Sequence, residues 1–334
     1  MVLARLPRVD LGKWPTPLHE LPRLSDALGG PRIFIKRDDL SGLAFGGNKC
    51  RKLEYLLSDA KQRGVDTLIA TGSAQSNFAL QMAAAACKLG MKSYLVLFKG
   101  LHPEMQGNML LHSILGSKVS LVDIADSKEM FTVLPQRMNQ LADELRSQGC
   151  NPWIIPVGGS VPLGTAGWAY AAEEIERQLG EQGIDIQHVI LANGSGGTQA
   201  GLVLGFKYLR TPVKVIGISV LSKRNEAKNT VVTQVNETAK LLGLDIAMTP
   251  EEVTVYDDYI GQGYGIPTRE GIEAVKLVAR TEAILLDPVY TGKSMAGLVD
   301  LIRKGVFSKN ESVLFVHSGG GAADFAYSQE LTNY

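Results

Sequence analysis

The stretch VILANGSGGTQAG (residues 189–201) decides the fold. The apolar run Val189–Ala192 reads as a strand buried on both faces. Gly194, Gly196 and Gly197 then make a tight turn, and a helical pattern opens at once. The same unit recurs along the chain. RIFIK (32–36), DTLIATG (66–72), SYLVLF (93–98), KVSLVDI (118–124), WIIPVGG (153–159), KVIGISV (214–220), VTVYDDY (253–259), ILLDPVY (284–290) and VLFVHSGGG (313–321) all read as strands, most of them followed by a helical stretch. Apolar strands alternating with helices specify an α/β fold with parallel sheets covered on both faces. The strands fall into two sets, roughly 66–157 and 188 onward, with RIFIK open to either. Two open twisted parallel sheets in three-layer αβα domains, with a cleft between them, are therefore expected.

Composition narrows the class. Lys plus Arg (34) balances Asp plus Glu (34) in a chain of 334 residues, which speaks against a nucleic-acid or membrane-surface protein. Three widely spaced cysteines make no disulfide framework and fit a reducing cytoplasm. The five histidines show no paired metal-ligand spacing, so no metal site is expected. The N-terminal MVLARLPRVDLGKWPTPL lacks the continuous apolar core of a signal peptide, and no apolar run reaches the length of a membrane span.

Five glycine-punctuated loops follow strand ends, the edge where parallel sheets bind ligands. TGSAQSNFAL (71–80) places Ser76 and Asn77 at a helix start suited to a carboxylate or phosphate. In GSGGT, Gly194, Ser195, Gly196, Gly197 and Thr198 form a cup of backbone N–H groups and hydroxyls for a phosphate. A dinucleotide site needs glycine where Gln199 stands, although Lys223 and Arg224 leave an NADP-dependent reductase as the alternative outside the class. GQGYGIPT (261–268) offers Tyr264, LLDPVYTGKSMAG (285–297) offers Tyr290 and Thr291, and VHSGGG (316–321) offers Ser318. No His/Asp pair beside a nucleophile and no carboxylate pair accompanies them, which disfavours triad hydrolases and glycosidases.

AFGGNKCRKLEYLL (44–57) supplies the reactive group. Lys49, Arg51 and Lys52 crowd a helix start, the end at which cations are disfavoured. A lysine pressed by neighbouring cations is pushed toward its neutral, nucleophilic form. Such a lysine, a phosphate cup and hydroxyls in place of acids fit pyridoxal 5′-phosphate (PLP), with Lys49 as the lysine bonded to it.

These same stretches resemble the D-cysteine desulfhydrase and 1-aminocyclopropane-1-carboxylate deaminase family, among the tryptophan-synthase-β-like (type II) PLP enzymes. The resemblance runs from LPRVDLGKWPTPLHELPRLSDALGG through GGNKCRKLEYL, QSN, IPVGGS, GSGGT, GYGIPT and ILLDPVYTGKSMAGLVDLIRKG to HSGG. It implies that Lys49 moves the α-proton of a small amino-acid substrate. Asn77 would meet the ring hydroxyl and Ser76 the substrate carboxylate, with Phe78 beside it. Gly194–Thr198 and Lys52 would hold the phosphate, while Tyr264 and Tyr290 would line the substrate side. Thr291 and Ser318 would lie on the cofactor's other flanks. It further implies a large domain from residues 1–50 and 164–334 around a small one at 51–163, and a homodimer.

Within that family, deaminases resemble VYEG and HLGG, and desulfhydrases VYTG and HTGG. Thr291 and Ser318 side with the desulfhydrases, since a hydroxyl leaves the ring a weaker electron sink, which is enough for a good leaving group such as thiolate. The expected reaction is β-elimination of D-cysteine to sulfide, pyruvate and ammonia. L-cysteate sulfo-lyase and the cyclopropane deaminase are the alternatives. Phe78 and Leu80 stand where desulfhydrases carry a polar residue and an arginine.

Overall fold

The computed structural model describes residues 5–124 and 130–333. Among these described residues ten strands form two sheets: β1 (Leu18–Glu20), β2 (Arg32–Arg37), β3 (Thr67–Ser73), β4 (Lys92–Phe98), β5 (Lys118–Val122), β6 (Pro152–Ile154), β7 (His188–Asn193), β8 (Lys214–Ser219), β9 (Thr254–Tyr256) and β10 (Ser312–His317). The larger sheet runs β1-β2-β10-β7-β8-β9 and the smaller β5-β4-β3-β6. RIFIK thus joins the sheet built from the C-terminal half. All pairings are parallel except β1 with β2, an edge that three residues, LHE, were too short to announce in the sequence.

Burial follows the apolar runs. In β10, Val313 and Phe315 face one core and Leu314 and Val316 the other, and β7 repeats this with Ile190 against Val189 and Leu191. The smaller sheet is likewise covered twice: Leu68, Ala70, Leu95 and Leu97 pack on one side, Ile69 and Val96 on the other. Both sheets are three-layered, as the continuous apolar strands require.

ILLDPVY is not a strand. Ile284 and Leu286 are buried and Leu285 is exposed, the alternation that suggested one. Both edges of β10 are already paired, however, and the Leu285 carbonyl instead accepts from His317 Nε2 at 2.9 Å. Asp287 then turns the chain: its side chain accepts from the backbone N–H groups of Val289, Tyr290 and Thr291. VTVYDDY is a strand only through Tyr256, because Asp257 and Asp258 turn to pair with Arg224.

A buried ionic cluster ties the layers together near the opening helix, Lys49–Gln62. Arg51 donates to Asp38 at 2.7 Å and 2.9 Å and to Glu174 at 2.8 Å and 3.0 Å, and Lys36 meets Glu174 at 2.5 Å. The Arg51 guanidinium also lies 4.0 Å from the Trp14 ring centroid. Burial opposes ionisation of Glu174, but the charges and hydrogen bonds of Arg51 and Lys36 outweigh it and hold the carboxyl at about 2.

Two cations and two carboxylates balance here, so removing one leaves an unpaired buried charge. Glu174→Gln is expected to destabilise the protein by about 3–5 kcal/mol at pH 7, measured by urea unfolding. Because the folded-state value lies below the unfolded one, this contribution is complete above about pH 4.5 and is lost as pH falls toward 2. The wild-type advantage over Glu174→Gln should therefore shrink across that window.

Candidate active site

One cavity between the two sheets is lined by Lys49, Ser76, Asn77, Phe78, Gly194, Ser195, Gly196, Thr198, Tyr264, Tyr290 and Ser318. Of the residues singled out in the sequence, Lys52, Gly197 and Thr291 stand behind this surface.

Lys49 is the first residue of its helix, and its amine donates to Asn48 Oδ1 at 2.9 Å. Asn48 in turn donates Nδ2 to Thr198 Oγ1 at 2.9 Å, linking the lysine to the glycine-rich loop. The approach is made by Gly46 and Gly47, at φ 70° and 132°. A Cβ on Gly46 would fall 1.9 Å from the Asp39 carbonyl, which no side chain allows.

Burial lowers the Lys49 amine to about 8, with Asp287 acting in the opposite direction. Crowding by Arg51 and Lys52, the cause expected from the sequence, is not what lowers it. Arg51 instead points away, because a helix turns 100° per residue and sends its guanidinium into the Asp38–Glu174 cluster. Desolvation takes its place as the cause.

Lys52 is 1% exposed, and its amine meets only the Gly158 carbonyl at 3.2 Å and Ser160 Oγ at 2.8 Å. Among the described residues no carboxylate pairs with it. Burial, and then the charge of Lys49, push it well below the usual lysine range. Ser160 Oγ lies 2.7 Å from Ser195 Oγ, and a Cβ on Gly197 would fall 2.7 Å from the Lys52 amine. The helix Gly197–Leu209 starts here with free backbone N–H groups. A sealed cation without a counter-charge, hydroxyls and a helix start around a concavity that only glycine leaves open fit a phosphate group.

Gln199, which replaces the dinucleotide glycine, is 1% exposed and accepts from Asn193 Nδ2 at 2.5 Å while donating to the Thr254 carbonyl at 2.9 Å. It is a strut between β7 and β9. Arg224 is engaged with Asp257 and Asp258 and does not line the cavity.

Tyr264 and Tyr290 share a hydrogen bond between their hydroxyls, with ring centroids 5.9 Å apart. Burial raises both phenols above their usual range, Tyr290 further than Tyr264. Both therefore carry their protons at neutral pH. Ser76 caps the helix Asn77–Lys88, its Oγ accepting from Ala79 N at 3.2 Å. Phe78 lines the cavity and also packs into the core of the smaller sheet, whereas Leu80 is buried away from the cavity.

Thr291 is fully buried and donates Oγ1 to Asp287 Oδ1 at 2.6 Å. Asp287, Asn48 and Gln234, which donates to the Ser195 carbonyl at 3.0 Å, were missed in the sequence. Only the D-P-x-Y turn signal around Asp287 could have exposed one of them.

The chain as a whole is similar to known proteins. The family described as pyridoxal-phosphate dependent enzyme matches residues 9–319, and the chain belongs to that family. The chain is 43% identical, over 98% of each sequence, to D-cysteine desulfhydrase of Klebsiella pneumoniae (strain 342). A crystal structure of an ACC deaminase homologue superposes with TM-score 0.89 at 40% identity, covering 98% of this chain and 96% of that one. Threonine deaminase isoform 2 of Solanum lycopersicum shares the fold, with TM-score 0.65 at 21% identity over 95% of this chain and 82% of that one. The protein is thus a PLP-dependent enzyme with the type II fold.

Lys52→Met tests the phosphate reading. Losing an unpaired buried cation should raise the melting temperature of the cofactor-free protein, while the dissociation constant for PLP should rise by about tenfold or more. Calorimetry of the cofactor-free protein and absorbance titration with PLP measure the two effects.

Proposed function

We propose that this chain is a PLP-dependent carbon–sulfur lyase that converts D-cysteine to sulfide, pyruvate and ammonia. The observation that carries the reading is a lysine held at about 8 beside two protonated phenols in one buried cavity. Near-complete coverage of D-cysteine desulfhydrases at 42–43% identity supports the substrate.

Lys52, Ser195, Thr198 and the N–H groups of Gly194, Gly196 and Gly197 would hold the phosphate. Asn77 would meet the ring hydroxyl and Ser318 would line a further flank, with Thr291 behind the surface supporting the Tyr290 turn through Asp287. PLP, when bound, withdraws the electron pair left at Cα. The substrate carboxylate rests on Ser76 and the N–H groups opening the Asn77 helix, where the helix dipole favours an anion. Lys49 Nζ, neutral in an appreciable fraction near pH 8, accepts the Cα proton. The Cβ–S bond breaks, and the Tyr264–Tyr290 pair, protonated because buried, supplies the proton to the departing sulfur. Addition of water to the released enamine yields pyruvate and ammonia.

Lys49 is the one charged side chain among the described residues that line the cavity, which weighs against L-cysteate, whose sulfonate needs a cation. Thr291, committed to Asp287, offers no carboxylate to the ring and weighs against the cyclopropane deaminase. A division into a large domain (1–50 and 164–334) and a small one (51–163) is supported by the two sheets, whose strands lie at 18–37 with 188–317 and at 67–154. A homodimer is supported by the family resemblance and by exposed Leu110 and Ile114, one turn apart on one helix face. Three free cysteines suit the cytoplasm.

The test is release of sulfide and pyruvate from D-cysteine, with L-cysteine, L-cysteate and the cyclopropane amino acid alongside. Equimolar sulfide and pyruvate from the D-isomer, abolished in Lys49→Ala, is the expected result. Turnover of another substrate in preference, or full activity in Lys49→Ala, would overturn the proposal.

A further inference from the structure

Asn77 presents an amide to the cavity, and an amide has two unlike ends, a donor Nδ2 and an acceptor Oδ1. A chain of hydrogen bonds outside the cavity decides which end faces in. Asn108, fully buried at the start of the helix Asn108–Ile114, donates Nδ2 to the Gln75 carbonyl at 2.8 Å and to Asn77 Oδ1 at 2.8 Å. Reversing the Asn108 amide would set its oxygen against that backbone carbonyl, acceptor against acceptor. The backbone therefore fixes Asn108, Asn108 claims the oxygen of Asn77, and Nδ2 of Asn77 is left for the cavity.

Asn108 is itself held in place. Its backbone N–H donates to Gln75 Oε1 at 2.8 Å, and Gln75 Nε2 donates to the carbonyls of His102 at 2.9 Å and Gln106 at 3.1 Å. Gly107, at φ 54°, makes the approach possible, since a Cβ there would fall 2.6 Å from Gln75 Oε1. Neither Gln75 nor Asn108 lines the cavity. Both sequence stretches, QSN and MQGN, read as ordinary loop and helix-start chemistry until the fold sets them side by side.

We propose that Asn108 is a positioning residue that sets the hydrogen-bond polarity of Asn77, so that Asn77 always offers a donor to the ring hydroxyl oxygen of PLP. The inference rests on the placement of that oxygen against Asn77 given above. A donor there stabilises the oxygen in its negatively charged form, which affects both cofactor affinity and the visible absorption of the bound ring.

The test compares Asn77→Ala, Asn108→Ala and the double variant. Cofactor-free protein is titrated with PLP, the visible spectrum of each holoenzyme is recorded, and melting of the cofactor-free forms reports folding. Each single variant is expected to raise the PLP dissociation constant about tenfold, with the Asn108→Ala spectrum shifted in the same sense as that of Asn77→Ala. The double variant should be no weaker than Asn77→Ala, since both act through one contact. Additive losses, or a wild-type spectrum and affinity in Asn108→Ala, would overturn the proposal. If Asn108→Ala fails to fold, Asn108→Ser, which keeps a small polar group, carries the same comparison. Unchanged binding and spectrum in Asn77→Ala would remove the role of Asn77 and this inference with it. Failure of the wild type on D-cysteine, with PLP bound and these shifts intact, would remove only the substrate.

Discussion

A single helix start, Asn48 to Lys52, has to satisfy three unlike demands within one turn, and the surrounding structure is arranged to meet them. Lys49 must reach the cavity and lose its charge readily. Arg51 must keep its charge in a sealed environment. Lys52 must keep a cation close to a site for an anion. Helical geometry separates the three side chains by 100° per residue, so each enters different surroundings. Arg51 finds Asp38 and Glu174, Lys49 finds the Asn48 amide, and Lys52 finds only a carbonyl and a hydroxyl. The deliberate imbalance lies at Lys52. Arg51, its neighbour on the same helix start, is matched by two carboxylates, whereas Lys52 is left for a ligand to complete.

The two sheets serve this division of labour differently. The larger sheet contributes the anion cup at the end of β7 and, past it, the Tyr290 and Ser318 loops. The smaller contributes the Ser76–Asn77 helix start, and Phe78 joins its core to the cavity wall. Phe78 replaces an expected polar side chain, yet the wall it makes is continuous with Leu56, Leu68 and Leu95. Leu80 occupies a site closed to solvent and to the cavity, where an arginine would have needed a counter-charge.

The architecture was legible in the sequence because continuous apolar strands and glycine turns are local signals. RIFIK, DTLIATG and SYLVLF are strands as read, VLFVHSGGG is one through His317, and the glycines of GSGGT curve around the position of Lys52. What failed was whatever depended on partners distant in sequence. ILLDPVY had strand alternation but no free strand edge, and β1 was too short to show a pattern. The effect of Arg51 on Lys49 was misjudged because linear neighbours were taken as spatial ones. Asn48, Gln234 and Asn108 carry no motif of their own and matter through contacts that only the folded chain creates, while Asp287 was signalled by nothing beyond its D-P-x-Y turn.

The bond between Thr291 and Asp287 bears on how activities diverge among relatives. Asp287 accepts from three backbone N–H groups and the Thr291 hydroxyl, and that turn aims Tyr290 into the cavity. A glutamate at position 291, the residue expected from the sequence for the deaminases, would withdraw that donor and bring a second carboxylate toward the first. Such an exchange alters the scaffold of the neighbouring tyrosine together with the chemistry offered to the ring. A change at position 291 therefore reaches Tyr290 through the 287–290 turn, whose three backbone N–H bonds to Asp287 remain while the Thr291 hydroxyl is lost.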